Sequence, residues 1–208
     1  MSSISRASGL ADLPGPVAVC CHDAGGANLI AAWLAAEPAG EYRVCAQGPA
    51  REIFATVLPH QPLQPLTLVL AGAACLLSGS GWGSDLEHTA RIAARARGIA
   101  SLAVLDHWVN YRARFVRQGV EALPDVLVVT DPAAAALAAE TFGDVPPTLM
   151  WHNRYLDDEA ARVQALAARQ PVVPPAHLLV VLEPLRGQDT PVLRALRIQV
   201  GQAAGQPS

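Results

Sequence analysis

Lysine is missing from the chain: all 15 basic residues among its 208 are arginine. A P-loop lysine, a Schiff-base enzyme and a lysine general base are thereby excluded. A basic excess is missing too, because the net charge is −3, so no nucleic-acid partner is expected. No apolar run of about 18 residues is free of Gly, Pro or charge, and no membrane span is expected. The opening MSSISRASGLADLPGP lacks the apolar core of a signal peptide. Residues 1–15 therefore read as a flexible lead-in, and a cytoplasmic location is the expectation. Cys20, Cys21, Cys45 and Cys75 show no C-x-x-C spacing and lie on or beside apolar runs, which predicts buried free thiols. The dinucleotide fingerprint G-x-G-x-x-G is absent, so neither a nicotinamide nor any other cofactor is expected. No pair of His, Cys, Asp or Glu residues has a recognisable ligand spacing, and no metal site is expected.

What is present is apolar and alanine-rich, with 51% hydrophobic residues against 16% charged, ample for a buried core. Short apolar runs over 17–21, 42–46, 75–78, 99–105, 126–130 and 147–151 predict strands. Between them lie helices over 27–36 and 50–58, a short one within 66–77, and others over 85–97 and 131–142. For the fourth helix, Ser84 and Glu87 have capping-box spacing and Gly98 suits the C-terminal turn. For the fifth, Asp131 suits the N-cap and Pro132 the first helical position. Strands that alternate with helices and are apolar on both faces predict a doubly wound, Rossmann-like parallel sheet with helices on both faces, spanning 16–152. Residues 153–176 read as a linker with a helix over 159–169. Residues 177–208 read as a partial second βα unit, with a strand over 177–182 and a helix over 192–200.

In open α/β sheets ligands bind beyond the carboxyl ends of the strands. Three polar clusters follow strands and should share that rim. The first is His22, Asp23, Gly25, Gly26 and Asn28: either a tight βα turn capped by Asp23, or a base, His22, held by a carboxylate, beside glycines open to an anion. The second is Ser78-Gly79-Ser80-Gly81-Trp82-Gly83-Ser84, whose backbone donors, hydroxyls and tryptophan suit a phosphate or the face of a sugar. Asp85 and Glu87 read there as first-turn helix charges. The third, Asp106-His107-Trp108-Val109-Asn110-Tyr111-Arg112-Ala113-Arg114, packs a carboxylate, an imidazole, an amide, a phenol and guanidinium groups into one segment. Asn153 adds a further polar contact. His60 and His177 read as bystanders.

Together these segments resemble the amino-terminal half of GT-B-type glycosyltransferases and of the non-hydrolysing UDP-sugar 2-epimerases. The parallels are VAVCCHDAGGAN (17–28), SGSGWGSDLE (78–87), AVLDHWVNYR (103–112), PDVLVVTDPAAA (124–135) and LMWHNRYLD (149–157). The last is similar to the G-N-P-x-x-D stretch joining the two domains of that superfamily, with His152 and Arg154 where Gly and Pro are usual. The likeness spans roughly residues 17–185. It implies a GT-B-like amino-terminal domain that holds the acceptor, with His22 or Asp23 as the base. Gly25, Gly26, Ser80 and Trp82 would line the cleft, and Asp106, His107 and Arg112 would be the next contacts. The implied ligand is a sugar or sugar phosphate, and the implied role is sugar transfer in glycan or glycoconjugate assembly. A donor domain would begin near His177, where few residues remain, so the resemblance also implies a second copy or a complementary donor-domain chain completing the cleft. Two other readings stand beside it: a non-catalytic subunit that binds a ligand or partner, and a small hydrolase or isomerase using His107 with Asp106.

Overall fold

The computed structural model describes residues 3–169. The strand and helix expected over 177–200, and with them the partial second βα unit, lie outside the described residues. The elements in chain order are β1 (Val17–Cys21), α1 (Ala24–Ala36), β2 (Tyr42–Ala46), α2 (Gly48–Val57), α3 (Leu66–Val69), β3 (Cys75–Ser78), α4 (Leu86–Arg95) and β4 (Ala100–Val104). A two-stranded hairpin follows, β5 (Val116–Arg117) and β6 (Val120–Glu121). The chain then makes β7 (Val126–Val129), α5 (Pro132–Phe142), β8 (Thr148–Met150) and α6 (Arg154–Ala167).

Six strands form one parallel sheet in the order β2-β1-β3-β4-β7-β8. From β1 the chain first adds a neighbour on one side and then moves to the other, so the direction of winding reverses between β1 and β3. Alternate residues of each strand serve opposite faces. Val17, Val19, Cys21, Leu77, Val104 and Val128 pack on one face with Ile30, Leu34 of α1 and Phe54 of α2. Ala18, Cys20 and Leu76 pack on the other with Val69 of α3 and Ala90, Ala94 of α4. Ala103, Leu105, Leu127 and Val129 continue that second face under Ala134 and Ala138 of α5. All four cysteines are buried and free. Each of the six strands expected between residues 17 and 151 is present, and the doubly wound architecture with helices on both faces is the observed one.

Three differences bear on the site. Residues 4–13, expected as lead-in, are packed: Ile4, Ala7, Leu10 and Leu13 are buried in the first-face core, and Trp151 Nε1 donates to the Ala7 carbonyl at 2.9 Å. The four buried side chains fall at every third residue, the period of the 3₁₀ turns over Ser3–Arg6 and Leu10–Asp12, a spacing that matches neither the α-helical nor the strand pattern. α1 begins at Ala24, three residues earlier than expected, so Gly25 and Gly26 lie in its first turn. α6 begins at Arg154, because the Asn153 side chain accepts the Leu156 N–H at 3.0 Å and caps it. Among the described residues, no helix is long and apolar enough to cross a membrane.

Candidate functional site

The loops leaving β1, β3 and β4 meet at the carboxyl edge of the sheet. Gly26 of the first lies against Gly79 of the second, and a Cβ at Gly25 would collide with the Asp106 carboxylate of the third. Asp106 is thereby seated beside the first turn of α1. Its Oδ1 accepts from Arg114 Nη1 at 2.7 Å, a nearly buried ion pair, and the same guanidinium reaches Ser80 Oγ at 3.4 Å and the Val109 carbonyl. One arginine thus ties the β3 loop to the β4 loop.

At the reversal point between β1 and β3 sits a dyad. His22 Nδ1 lies 2.7 Å from Asp23 Oδ1, and the two side chains are partly exposed. With that nitrogen carrying the proton toward the carboxylate, Nε2 is left as the acceptor. The Asp23 carboxylate occupies the space that a side chain at residue 81 would fill, which explains the glycine there better than a ligand contact does. The His22 backbone N–H donates to Glu87 Oε1 at 2.8 Å. Glu87 is only 1% exposed, and its other oxygen has no hydrogen-bond partner among the described residues. Burial pushes its carboxyl above the usual glutamate range; the His22 N–H opposes this, nearby Asp23 adds to it, and Arg91 opposes it.

A cleft of about 370 Å³ opens beyond the ends of β1, β4, β7 and β8. Its polar lining comprises Asn28, Asp106, His107, Thr130, Asp131 and Asn153, with Gly25, Leu29, Trp108 and Tyr155 among the rest. Asp131 is the α5 N-cap expected from the sequence, accepting the Ala134 N–H at 2.8 Å. Trp108, 57% exposed, donates Nε1 to both Asp131 oxygens at 3.2 Å, which fixes the indole at the cleft mouth. Asn153 Nδ2 donates to Thr130 Oγ1 at 3.3 Å.

Of the residues expected to contact ligand, Gly25, Asn28, Asp106, His107 and Asn153 line this cleft. His22, Asp23 and Trp82 lie on the same rim but outside its lining. The others have structural work. Ser78 is buried, donating to the Leu102 carbonyl and accepting from Arg91. The Gly79 carbonyl accepts from the Arg91 guanidinium, and Ser80 is buried, donating to the Val104 carbonyl at 2.7 Å. Tyr111 is buried under α5, its hydroxyl directed at the Ala134 carbonyl. Arg112 pairs with Glu121 on the β5–β6 hairpin at 2.9 Å. Asn110, at φ 58°, makes the left-handed turn whose carbonyl accepts the Arg114 N–H. Ser84 accepts the Leu86 N–H, but the expected capping box does not form, because Glu87 turns inward to His22.

The sequence reading missed Glu87 and Arg91 as structural members of the rim, and Thr130, Asp131 and Tyr155 as cleft lining; it placed Arg114 in the third cluster without its tie to Asp106. A signal for the first two exists: Glu87, Ala90, Arg91 and Ala94 form one helical stripe, and the alanines mark it as the face against the sheet. No protein-family model matches the chain, and neither do curated proteins or solved structures.

Proposed function

We propose that this protein is a GT-B-like binder of a sugar or sugar phosphate that takes part in sugar transfer during glycan or glycoconjugate assembly. One observation carries the reading: a cleft at the carboxyl edge of a parallel sheet, lined by amides, hydroxyls and carboxylates, with Trp108 held at its mouth. Sugar hydroxyls both donate and accept, and they suit a mixed lining of this kind. The apolar face of a pyranose suits an exposed indole. A fold by itself implies no reaction, so the weight rests on these side chains.

In this reading His22 is the base. Asp23 orients its ring, and Nε2 takes the proton of the acceptor hydroxyl as that oxygen attacks the anomeric carbon. The bond from that carbon to the leaving group breaks, and the leaving group departs with the electron pair. A positioned base of this type contributes roughly 10²–10⁴-fold to rate. Gly25, which lines the cleft, is three residues from His22 in the chain, and in this reading the acceptor bridges from the cleft to the His22 ring beside Gly48. The alternative of His107 working with Asp106 loses its partner, since Asp106 is already committed to Arg114.

Thermal unfolding of the full chain with free sugars, sugar phosphates and nucleotide sugars tests the reading. A ligand at about 100 times its Kd stabilises by roughly 2.7 kcal/mol. For a domain of this size, that corresponds to a rise in Tm of about 5–10 °C. Trp108→Ala should abolish the shift. His22→Ala should retain it while losing transfer to an acceptor. No shift with any of the three classes removes the sugar reading.

A further inference from the structure

Building on the sugar reading of the same cleft, we infer that the part of the ligand seated there is an uncharged polyhydroxyl ring and not a phosphate. Helix starts are the usual place for a phosphate, and two long helices, α1 and α5, begin at this cleft. Both starts already hold a carboxylate of the protein. Asp106 is seated against Gly25 in the first turn of α1, and Asp131 caps α5 through the Ala134 N–H. A phosphate entering the cleft would face two carboxylates, one beside each helix start.

No arginine is among the described residues that line the cleft, and the chain has no lysine. Arg114, the guanidinium bonded to the cleft's own Asp106, is buried, and its Nε and Nη1 already serve Asp106, Ser80 and the Val109 carbonyl. Turning it toward a ligand would strand the Asp106 charge. The polar atoms that remain are suited to hydroxyls: the Asn28 and Asn153 amides, the Thr130 hydroxyl, the His107 ring and the free edges of the two carboxylates. Trp108 stands beside Asp131, so a sugar ring lying on the indole places its hydroxyls at that carboxylate. A hydroxyl can donate to a carboxylate, whereas a phosphate dianion cannot.

Calorimetric titration of the full chain with glucose, galactose, mannose and N-acetylglucosamine, each against its own 6-phosphate, tests this. For any sugar that binds, the uncharged member should bind about tenfold tighter or more, equivalent to roughly 1.4 kcal/mol. Asp131→Asn keeps a capping side chain on α5 and removes one charge, so it should narrow that ratio severalfold; circular dichroism verifies that the fold is kept. A 6-phosphate that binds as tightly as its parent sugar, or a ratio unmoved in Asp131→Asn, overturns the inference and leaves the sugar reading in place. Absence of binding by every sugar and every phosphate overturns the inference, and the thermal screen with nucleotide sugars then decides the sugar reading itself.

Discussion

Glu87 is where the physics of one residue is most exposed to test. Its charge is buried, its Oε1 serves the His22 backbone, and its Oε2 has no partner among the described residues. Burial, the largest influence, holds its carboxyl above the usual glutamate range. A carboxyl raised on folding binds its proton more tightly in the folded chain. It therefore adds stability that is full at pH values below the unfolded pKa, and that is lost as pH rises toward the folded one. Glu87→Gln keeps an acceptor for the His22 N–H but cannot ionise. Its stability relative to the parent should accordingly rise as pH climbs from the ordinary glutamate range to the raised folded one, read from urea midpoints. A difference that stays flat across that range would show that burial of this charge costs nothing.

At the scale of elements, the excursion between β4 and β7 is the part least supported by regular structure. A single 3₁₀ turn (Ala113–Phe115) and the short β5–β6 hairpin are the regular structure within residues 105–125. Loops of this length in compact domains are commonly functional and need anchoring. The anchors here are largely arginines. Arg91 donates to the Ala122 carbonyl and lies 4.9 Å from the Phe115 ring centre, Arg95 donates to the Leu123 carbonyl, and Arg117 reaches back to the Gly81 carbonyl at 2.9 Å. His88 adds a contact to the Val120 carbonyl at 2.9 Å. Burial lowers Arg91 to about 10, so it remains charged at neutral pH. Arg114 secures the cleft end of the excursion. Arg114→Met should cost roughly 3–5 kcal/mol, because it leaves the Asp106 carboxylate largely buried and unpaired. Adding Asp106→Asn should recover part of the loss. Chemical denaturation of the single and double variants measures both, and a single-variant loss below about 1 kcal/mol would mean the pair holds nothing.

Across the whole molecule, Trp151 joins parts of the chain that are far apart in sequence. It stands edge-on to Trp33 with ring centres 5.0 Å apart, and its N–H holds the Ala7 carbonyl. The Trp33 N–H in turn holds the His152 carbonyl at 2.8 Å. The amino-terminal segment, α1 and the exit from β8 are thus fastened at one point. Trp151→Ala should destabilise by about 3–5 kcal/mol and loosen residues 4–13. Tryptic cleavage after Arg6, which is exposed beside buried Ile4 and Ala7, should then accelerate. Unchanged cleavage would place the anchor of that segment elsewhere.

The sequence by itself determined the alternation of strands and helices, because a strand buried on both faces must be apolar throughout and because turns and caps carry local signals such as Asp131-Pro132. It also determined that polar clusters follow the strands, and parallel winding then obliges them to share one edge. Within that edge, residue type was legible but direction was not. Ser80 and Tyr111 look like rim residues in a polar segment, yet the folded chain turns them inward to backbone carbonyls. Asp131 reads as a helix cap, and only β7 lying next to β4 brings it under Trp108. Local chemistry acts over a few residues and leaves its mark in the sequence. Which carboxylate meets which arginine, and which helix start is already occupied, depends on contacts between distant segments, and those were decided by the tertiary structure.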